Sequence, residues 1–259
     1  MARTYLDNIL AWHRKRAEAD ERHLDQLMKE ASACVPPRGF INAISSTPHL
    51  AVIAEIKRRS PSKGALNVNL DPAEMARTYQ RGGASCLSVL TDKNHFGGSV
   101  SDLQDARNAC GLPVIRKDFT VDARDICDAR IMGADCVLLI AAALSSGELA
   151  EFINVARQVD IDALIEVHDE RELEMAISAG ATMIGVNQRD LVTFAVDHER
   201  AVRMGSRIPA ELVKVAESGV RGVADAVSLR QAGYDAILVG EHLVTSDDPA
   251  AAITELCIQ

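Results

Sequence analysis

From residue 51 onward, short apolar runs alternate with helical patterns. The apolar runs, typical of buried strands, occupy residues 51–57, 86–91, 113–117, 136–140, 162–167, 183–187, 212–217 and 236–239. Amphipathic or alanine-rich stretches follow them at 72–81, 101–109, 123–132, 147–158, 170–179, 198–204, 223–232 and 249–256. This alternation predicts βαβ units in a parallel sheet. Eight units favour a closed (β/α)8 or TIM barrel over an open doubly wound sheet, which normally has fewer strands.

Polar residues end five of these strand-like runs. They are Glu55 with Lys57, Lys117, Glu166, Asn187 and Glu217. Burial of ionic groups costs free energy, so charged residues at strand ends indicate a functional site. In a parallel barrel the carboxyl ends of all strands meet at one face, and we expect a site there. The glycines before the strands, such as Gly133 and Gly180, predict left-handed turns at the opposite, structural face.

Residues 1–48 do not follow the alternation. Apolar residues recur there at helical spacing, at Leu6, Ile9, Leu10, Leu24, Leu27 and Met28, and Pro36 and Pro37 end the stretch. We therefore expect an N-terminal helical extension (1–48) that covers one barrel end, followed by a catalytic barrel (49–259). The extension could be a lid over the substrate. It could equally have a structural role, as an oligomer contact or as a plug at the bottom of the barrel.

The composition of the chain limits the classes of molecule that it is expected to bind. With 259 residues, 47% of them hydrophobic, the chain can bury a single large core. Its net charge of -9 argues against nucleic acid but not against a small anionic substrate. No apolar run approaches the ~20 residues that span a bilayer, and the N-terminus has no apolar signal core. The six cysteines include no Cys-x-x-Cys pair, and we expect their thiols to be reduced. We expect a cytoplasmic protein, a monomer rather than an oligomer.

The charged strand ends offer acid–base chemistry. Glu55 and Lys57 alternate on one strand, so they share a side and can tune each other, although a structural ion pair is the alternative. Burial would lower the pKa of Lys117 toward use as a general acid, unless the lysine extends to solvent. Apolar neighbours would raise the pKa of Glu166 and make it a base. His168 and the other histidines lack metal-ligand spacing, so we expect no metal.

The turns after the last two strands suit an anion. Glu217-Ser218-Gly219 and Val239-Gly240-Glu241 can present backbone N–H groups, and these loops are the usual phosphate site of such barrels. Ser60, Ser62 and Gly64 could reach the same end. Any βα loop can contain glycine, so the conjunction with two lysines is the stronger signal. Asn187 and Arg189 suit the orientation of hydroxyls or a carboxylate.

These residues resemble the indole-3-glycerol-phosphate synthase family of tryptophan biosynthesis. The segments that carry the resemblance occur in order from about residue 50 and are IAEIKRRSPSKG at 53–64, LSVLTD at 87–92, FGGS at 96–99, RKDF at 116–119, LLIAA at 138–142, LIEVH at 164–168, GVN at 185–187, RDL at 189–191, ESGV at 217–220 and LVGE at 238–241. Gln188, His242 and Ala123 depart from the family's common residues, outside the acid–base set.

The resemblance implies a (β/α)8 lyase that needs no cofactor. It would convert 1-(2-carboxyphenylamino)-1-deoxyribulose 5-phosphate to indole-3-glycerol phosphate, CO2 and water. Lys117 would be the first general acid and Glu166 the base. Lys57, held by Glu55, would contact the substrate carboxylate, and the division of protons between the two lysines stays open. Other roles would be orientation by Asn187, Glu217 and Ser218, charge from Arg189, an apolar wall of Phe96, Phe119 and Leu138, and phosphate binding by Ser60, Gly219, Gly240 and Glu241.

Three rival functions fit the same residues less well. A class I aldolase would use Lys117 or Lys57 as a Schiff-base nucleophile. A phosphoribosylanthranilate isomerase would want a thiol-like base, and no cysteine ends a suitable strand. A silent sugar-phosphate-binding barrel would not need two lysines and a glutamate in one pocket.

Overall fold

Eight parallel strands close into a barrel in the computed structural model, which describes residues 5–60 and 63–259. The barrel strands are β1 (Ala51–Ile56), β4 (Cys86–Leu90), β5 (Val114–Lys117), β6 (Cys136–Ile140), β7 (Asp162–Val167), β8 (Met183–Asn187), β9 (Val213–Glu217) and β10 (Ala236–Val239). A short antiparallel hairpin, β2 (Arg59–Ser60) and β3 (Gly64–Ala65), lies outside the barrel. β1 pairs with both β4 and β10, which closes the sheet and confirms the predicted (β/α)8 fold.

Helices precede the barrel and alternate with its strands. They are α1 (Tyr5–Glu18), α2 (Leu24–Ser32), α3 (Phe40–Ser45), α4 (Pro72–Gly82), α5 (Lys93–Phe96), α6 (Val100–Ala109), α7 (Ala123–Ile131), α8 (Ser146–Gln158), α9 (Glu170–Ser178), α10 (Arg200–Gly205), α11 (Val223–Gln231), α12 (Glu241–Val244) and α13 (Pro249–Leu256), with a 3-10 turn at Ala141–Ala143. Local chemistry starts several of them. For example, Ser145 and Glu148 form a reciprocal capping box at α8.

The strands are buried on both faces, as expected for a parallel barrel inside a ring of helices. Every residue of β1, β4, β6, β8 and β10 is buried, so their apolar runs show no alternation with polar positions. The helix-to-strand turns contain left-handed glycines, including Gly133 (φ 99°) and Gly180 (φ 85°), which confirms the turn prediction. Each of the six cysteines carries a free thiol. Among the described helices, none has the length and apolarity to cross a membrane.

The N-terminal helices contact both ends of the barrel. Backbone N–H groups of Arg38 and Ile41 donate to Asp135 (2.7 Å) and Asp162 (2.9 Å), at the amino ends of β6 and β7. Phe40 and Ile44 of α3 are buried in the core at that end. By contrast, Ile9 of α1 lines a cavity at the carboxyl ends of the strands. The chain therefore runs from one barrel face to the other before β1 begins.

Candidate active site

A cavity of about 490 Å³ opens at the carboxyl ends of the barrel strands, and we call it the strand-end pocket. Its size is within the range of small-molecule sites. Gly64 is not among its lining residues, but the other described candidates from the sequence line it, namely Glu55, Lys57, Ser60, Phe96, Lys117, Phe119, Leu138, Glu166, Asn187, Arg189, Glu217, Ser218, Gly219, Gly240 and Glu241. Ser62 lies outside the described residues. The parallel barrel thus brings together side chains from distant parts of the sequence.

Glu55 and Lys57 form an ion pair at the end of β1, as their alternation on one strand predicts. The Glu55 carboxylate is buried, and the Lys57 side chain is 16% exposed, toward the pocket. Gly240 packs closely against this pair from the end of β10. A Cβ atom added at Gly240 would collide with the Glu55 carboxylate and lie 3.1 Å from Lys57 Nζ. A side chain at Gly240 would therefore displace the pair.

Lys117 lies between two carboxyl groups. Its Nζ is 3.4 Å from Glu166 Oε2 and 3.8 Å from Glu217 Oε2. Burial by itself would lower the pKa of Lys117, but the coulombic attraction of Glu166, Glu217 and Glu55 outweighs it and raises the pKa. The expectation of a lowered lysine pKa was therefore wrong, because the sequence did not show how many acidic groups surround the ammonium. Lys117 is charged at neutral pH.

The pKa of Glu166 is lowered, not raised as predicted from the sequence, and the raised pKa belongs to its neighbour Glu217. Burial would raise the pKa of Glu166, but the charges of Lys117 and His168 and a hydrogen bond from Asn187 lower it. Burial raises the pKa of Glu217 to about 8, and its interaction with Glu166 adds to the rise. A hydrogen bond with Glu166 also favours the protonated form of Glu217. Glu166 is thus the ionised member and Glu217 the neutral one.

Gly185 makes room for this carboxyl pair. A Cβ atom at Gly185 on β8 would collide with Glu217 Oε1 and lie 3.1 Å from Leu164 Cδ1. Glycine inside a strand often marks such a close approach. The glycine in the Gly-Val-Asn segment therefore lets the Glu217 side chain cross the face of β8 toward Glu166.

His168 is a neighbour of the site to which the sequence analysis assigned no role after excluding it as a metal ligand. Its Nε2 lies 3.4 Å from Glu166 Oε1, and its Nδ1 lies 3.0 Å from Glu172 Oε2. Burial would lower the pKa of His168, but the hydrogen bond with Glu172 and the charge of Glu166 raise it. The two-residue spacing between Glu166 and His168 on an extended segment was the available signal, since such residues point the same way.

Apolar side chains form one wall of the pocket. Phe96 and Phe119 lie with ring centroids 6.3 Å apart. Helix α1 adds Tyr5, whose ring packs edge-on against Phe194 at 5.5 Å. The contributions that the sequence analysis missed come from α1 and from the loop after β8, at Tyr5, Leu6, Ile9, Leu191, Phe194 and Val196. Periodicity could not assign them, because their position depends on how separate elements pack.

Backbone turns and positively charged side chains also line the pocket. Ser218 (φ 65°) and Gly219 (φ 76°) have left-handed backbones after β9, and strain at a non-glycine residue is typical of functional turns. Lys63 reaches Glu241 at 3.3 Å. Arg189 is half-buried, and its guanidinium donates to the Phe194 carbonyl (3.1 Å). The pocket therefore combines aromatic side chains with left-handed turns and positively charged side chains.

The fold and the pocket define a (β/α)8-barrel enzyme with a charged strand-end site. The chain matches the family model "Indole-3-glycerol phosphate synthase" over residues 6–256. It is 50% identical over 243 residues to indole-3-glycerol phosphate synthase 2 of Streptomyces coelicolor, which covers 94% of this chain and 93% of that one. The Rhodococcus opacus indole-3-glycerol phosphate synthase is 48% identical over 254 residues, covering 98% and 94%. The chain belongs to the indole-3-glycerol phosphate synthase family, carboxy-lyases of tryptophan biosynthesis.

Solved structures agree on the fold alone. 3-Hexulose-6-phosphate synthase superposes with a TM-score of 0.62 at 16% sequence identity, covering 80% of this chain and 98% of that one. A thiamine phosphate pyrophosphorylase from Pyrococcus furiosus gives 0.59 at 17% identity, covering 80% and 93%. Such distant neighbours share the barrel without specifying its chemistry.

Proposed function

We propose that the chain closes the indole ring of 1-(2-carboxyphenylamino)-1-deoxyribulose 5-phosphate and yields indole-3-glycerol phosphate, CO2 and water. The observation that carries this proposal is the position of Lys117, 3.4 Å from an ionised Glu166, in a pocket with an aromatic wall on one side. Ring closure needs a proton donor beside an apolar slot for the anthranilate ring. The later loss of water needs a base, and Glu166 can serve as that base because its carboxylate is ionised.

Lys117 activates the ketone in the first step. Its ammonium group hydrogen-bonds the ketone oxygen and gives it a proton, while the ring carbon that carries the carboxylate attacks the ketone carbon. One carbon–carbon bond forms, and the aromatic ring temporarily loses its conjugation. The raised pKa of Lys117 keeps it charged, so it stabilises the developing oxyanion as well as donating to it.

Decarboxylation and dehydration restore aromaticity. The bond to the carboxylate breaks, CO2 leaves, and its electron pair returns to the ring. The hydroxyl group then leaves as water with a proton from Lys57, the second ammonium group, and Glu166 takes the proton released from the adjacent methylene carbon. Two protons are given and one is taken back in these steps, and solvent supplies the remaining proton that restores the two lysines and Glu166 for the next turnover. Lys57 also contacts the substrate carboxylate before CO2 departs, with Glu55 holding it in place.

The remaining residues hold the substrate. Asn187 and Ser218 orient the anilino and hydroxyl groups, and neutral Glu217 can donate a hydrogen bond. Arg189 adds positive charge near the carboxylate. Phe96, Phe119 and Leu138 enclose the aromatic ring. The phosphate group lies at the turns containing Ser60, Gly219, Gly240 and Glu241, the last through its backbone N–H. We further propose that helix α1 is the part of the helical extension (1–48) that covers this site, and that the protein is a cytoplasmic monomer.

A fluorescence assay with purified protein and the carboxyanilino substrate tests the proposal directly. Appearance of indole fluorescence with release of one CO2 per turnover supports it. Lys15→Met, an exposed lysine on α1, is the matched control for variants of the pocket lysines. Binding of the substrate without turnover would favour the silent barrel. Trapping of substrate on Lys117 or Lys57 by borohydride would favour the aldolase, and either result would overturn the proposal.

A further inference from the structure

A second cluster of chemically capable side chains lies beside the strand-end pocket and has no part in the proposed reaction. His13 of α1 is buried, at 2% exposure, and its Nε2 lies 3.1 Å from Asp92 Oδ2. His95 of α5 places its Nδ1 2.7 Å from the same oxygen. This cluster could not be predicted from the sequence, because 79 residues separate His13 from Asp92. Folding α1 onto the barrel brings them together.

The arrangement has the donor set and the dimensions of a metal site. One ligand atom from each of His13, Asp92 and His95 can be chosen so that all lie within 4.8 Å of one another. Ligand atoms around one zinc ion lie roughly 3–4 Å apart, because each bond is about 2.0–2.2 Å long. Small side-chain shifts would therefore let all three reach one ion. Two imidazoles and a carboxylate suit zinc and related divalent transition metals better than Mg2+ or Ca2+, which prefer oxygen.

Asp92 lies between the two imidazoles. His13 Nε2 and His95 Nδ1 both lie within hydrogen-bond distance of its Oδ2 atom. Asp92 also caps α5 by accepting from the His95 backbone N–H at 2.7 Å, which fixes its orientation. Asp118 Oδ1 lies 3.8 Å from His13 Nε2 and adds a second negative charge.

We infer that His13, Asp92 and His95 form a binding site for a divalent transition metal ion, with Zn2+ the best match. The ion would join α1 to the loop that follows β4 and so fix the helix that carries Tyr5, Leu6 and Ile9 over the strand-end pocket. Its role would be structural. Lys117, Glu166 and Lys57 carry the proposed chemistry without it.

The test is a zinc titration of the untagged full-length protein, stripped of metal and held in competition with a chromophoric chelator. We expect one equivalent of Zn2+ to bind, and the melting temperature to rise as zinc is added. His13→Gln and His95→Gln should each weaken binding at least tenfold, since loss of even an outer-shell partner costs about 10–100-fold. His23→Gln, an exposed histidine outside the cluster, is the matched control and should bind as the parent does.

Cobalt gives an independent readout. Co2+ bound in place of Zn2+ should show visible absorption that His95→Gln abolishes. Absence of stoichiometric binding would overturn the inference, as would binding that both glutamine variants retain. If His13→Gln fails to fold because His13 is buried, the half-buried His95 decides the result alone. These measurements do not use turnover, so their failure leaves the proposed lyase activity untouched.

Discussion

At the scale of single residues, Lys117 offers the sharpest test of the acid–base set. Lys117→Met keeps most of the side-chain volume but removes the charge between Glu166 and Glu217. We expect kcat to fall at least about 100-fold, the low end of general acid–base contributions. Affinity for inorganic phosphate should change little, because we propose that phosphate binds at the turns and not at Lys117. Steady-state kinetics and calorimetry measure the two effects, and a rate near that of the parent would remove Lys117 from the acid role.

Glu217 predicts a pH effect with a definite sign. Its folded pKa of about 8 lies above its ordinary value of 4.5, so protonated Glu217 stabilises the fold fully below about 4.5. That stability is lost as pH rises through about 8. Glu217→Gln keeps a neutral donor of similar shape and removes this titration. We therefore expect the difference in melting temperature, variant minus parent, to increase between pH 5 and pH 9. A pH-independent difference would contradict the assignment of the proton to Glu217.

The sequence indicated which residues meet but not how they titrate. Glu55, Lys117 and Glu166 could be placed together because polar ends of parallel strands share one face. Their protonation could not be predicted, since it depends on distances of a few ångströms between side chains on different strands. His168 shows the same limit. Its spacing from Glu166 was visible, but its contact with Glu172 required the α9 helix to be in place.

At the scale of elements, the proposed cover of the pocket by helix α1 can be tested through the ring contacts that hold the helix in place. Tyr5 packs against Phe194 and, at 6.3 Å, against His95. Tyr5→Ala removes these ring contacts, each worth about 0.5–1.5 kcal/mol. We expect KM to rise up to roughly tenfold per lost contact, with little change in melting temperature because Tyr5 is exposed at the helix start. Lys15→Ala on the same helix is the control, and an unchanged KM would argue that α1 does not cover the substrate.

Element prediction succeeded where the pattern is long and failed where elements are short. The barrel strands follow from apolar runs, and the alternating helices from their amphipathic stretches. The four-residue helices α5 and α12 were not predicted, because one helical turn shows no periodicity. Both lie at the carboxyl-end face of the barrel. Helix α5 carries His95, so the short elements contribute directly to the surroundings of the site.

At the scale of the whole molecule, the sequence predicted the closed barrel but not the route of its N-terminal extension. Eight strand–helix units specify a topology with very few alternatives. The path of residues before β1 depends instead on buried polar contacts between distant segments. Asp135, for example, accepts from Arg38 and Val114 backbone N–H groups and pairs with Arg107 at 3.0 Å. No pattern local to Asp135 reveals these partners.

Asp135 therefore predicts a separation of stability from catalysis. It is fully buried at the amino-end face, opposite the strand-end pocket, and joins the extension, β5 and α6. Asp135→Ala leaves the Arg107 charge without its carboxylate partner. We therefore expect the free energy of unfolding to fall by about 3–5 kcal/mol. Below the unfolding transition, kcat should stay within about twofold, because residues at this face serve stability. Urea denaturation measures the free energy of unfolding, and steady-state kinetics measure kcat.

Arg207→Ala is the control. It breaks an exposed ion pair and should cost at most about 1 kcal/mol. A kcat loss in folded Asp135→Ala would show that the two barrel faces are coupled.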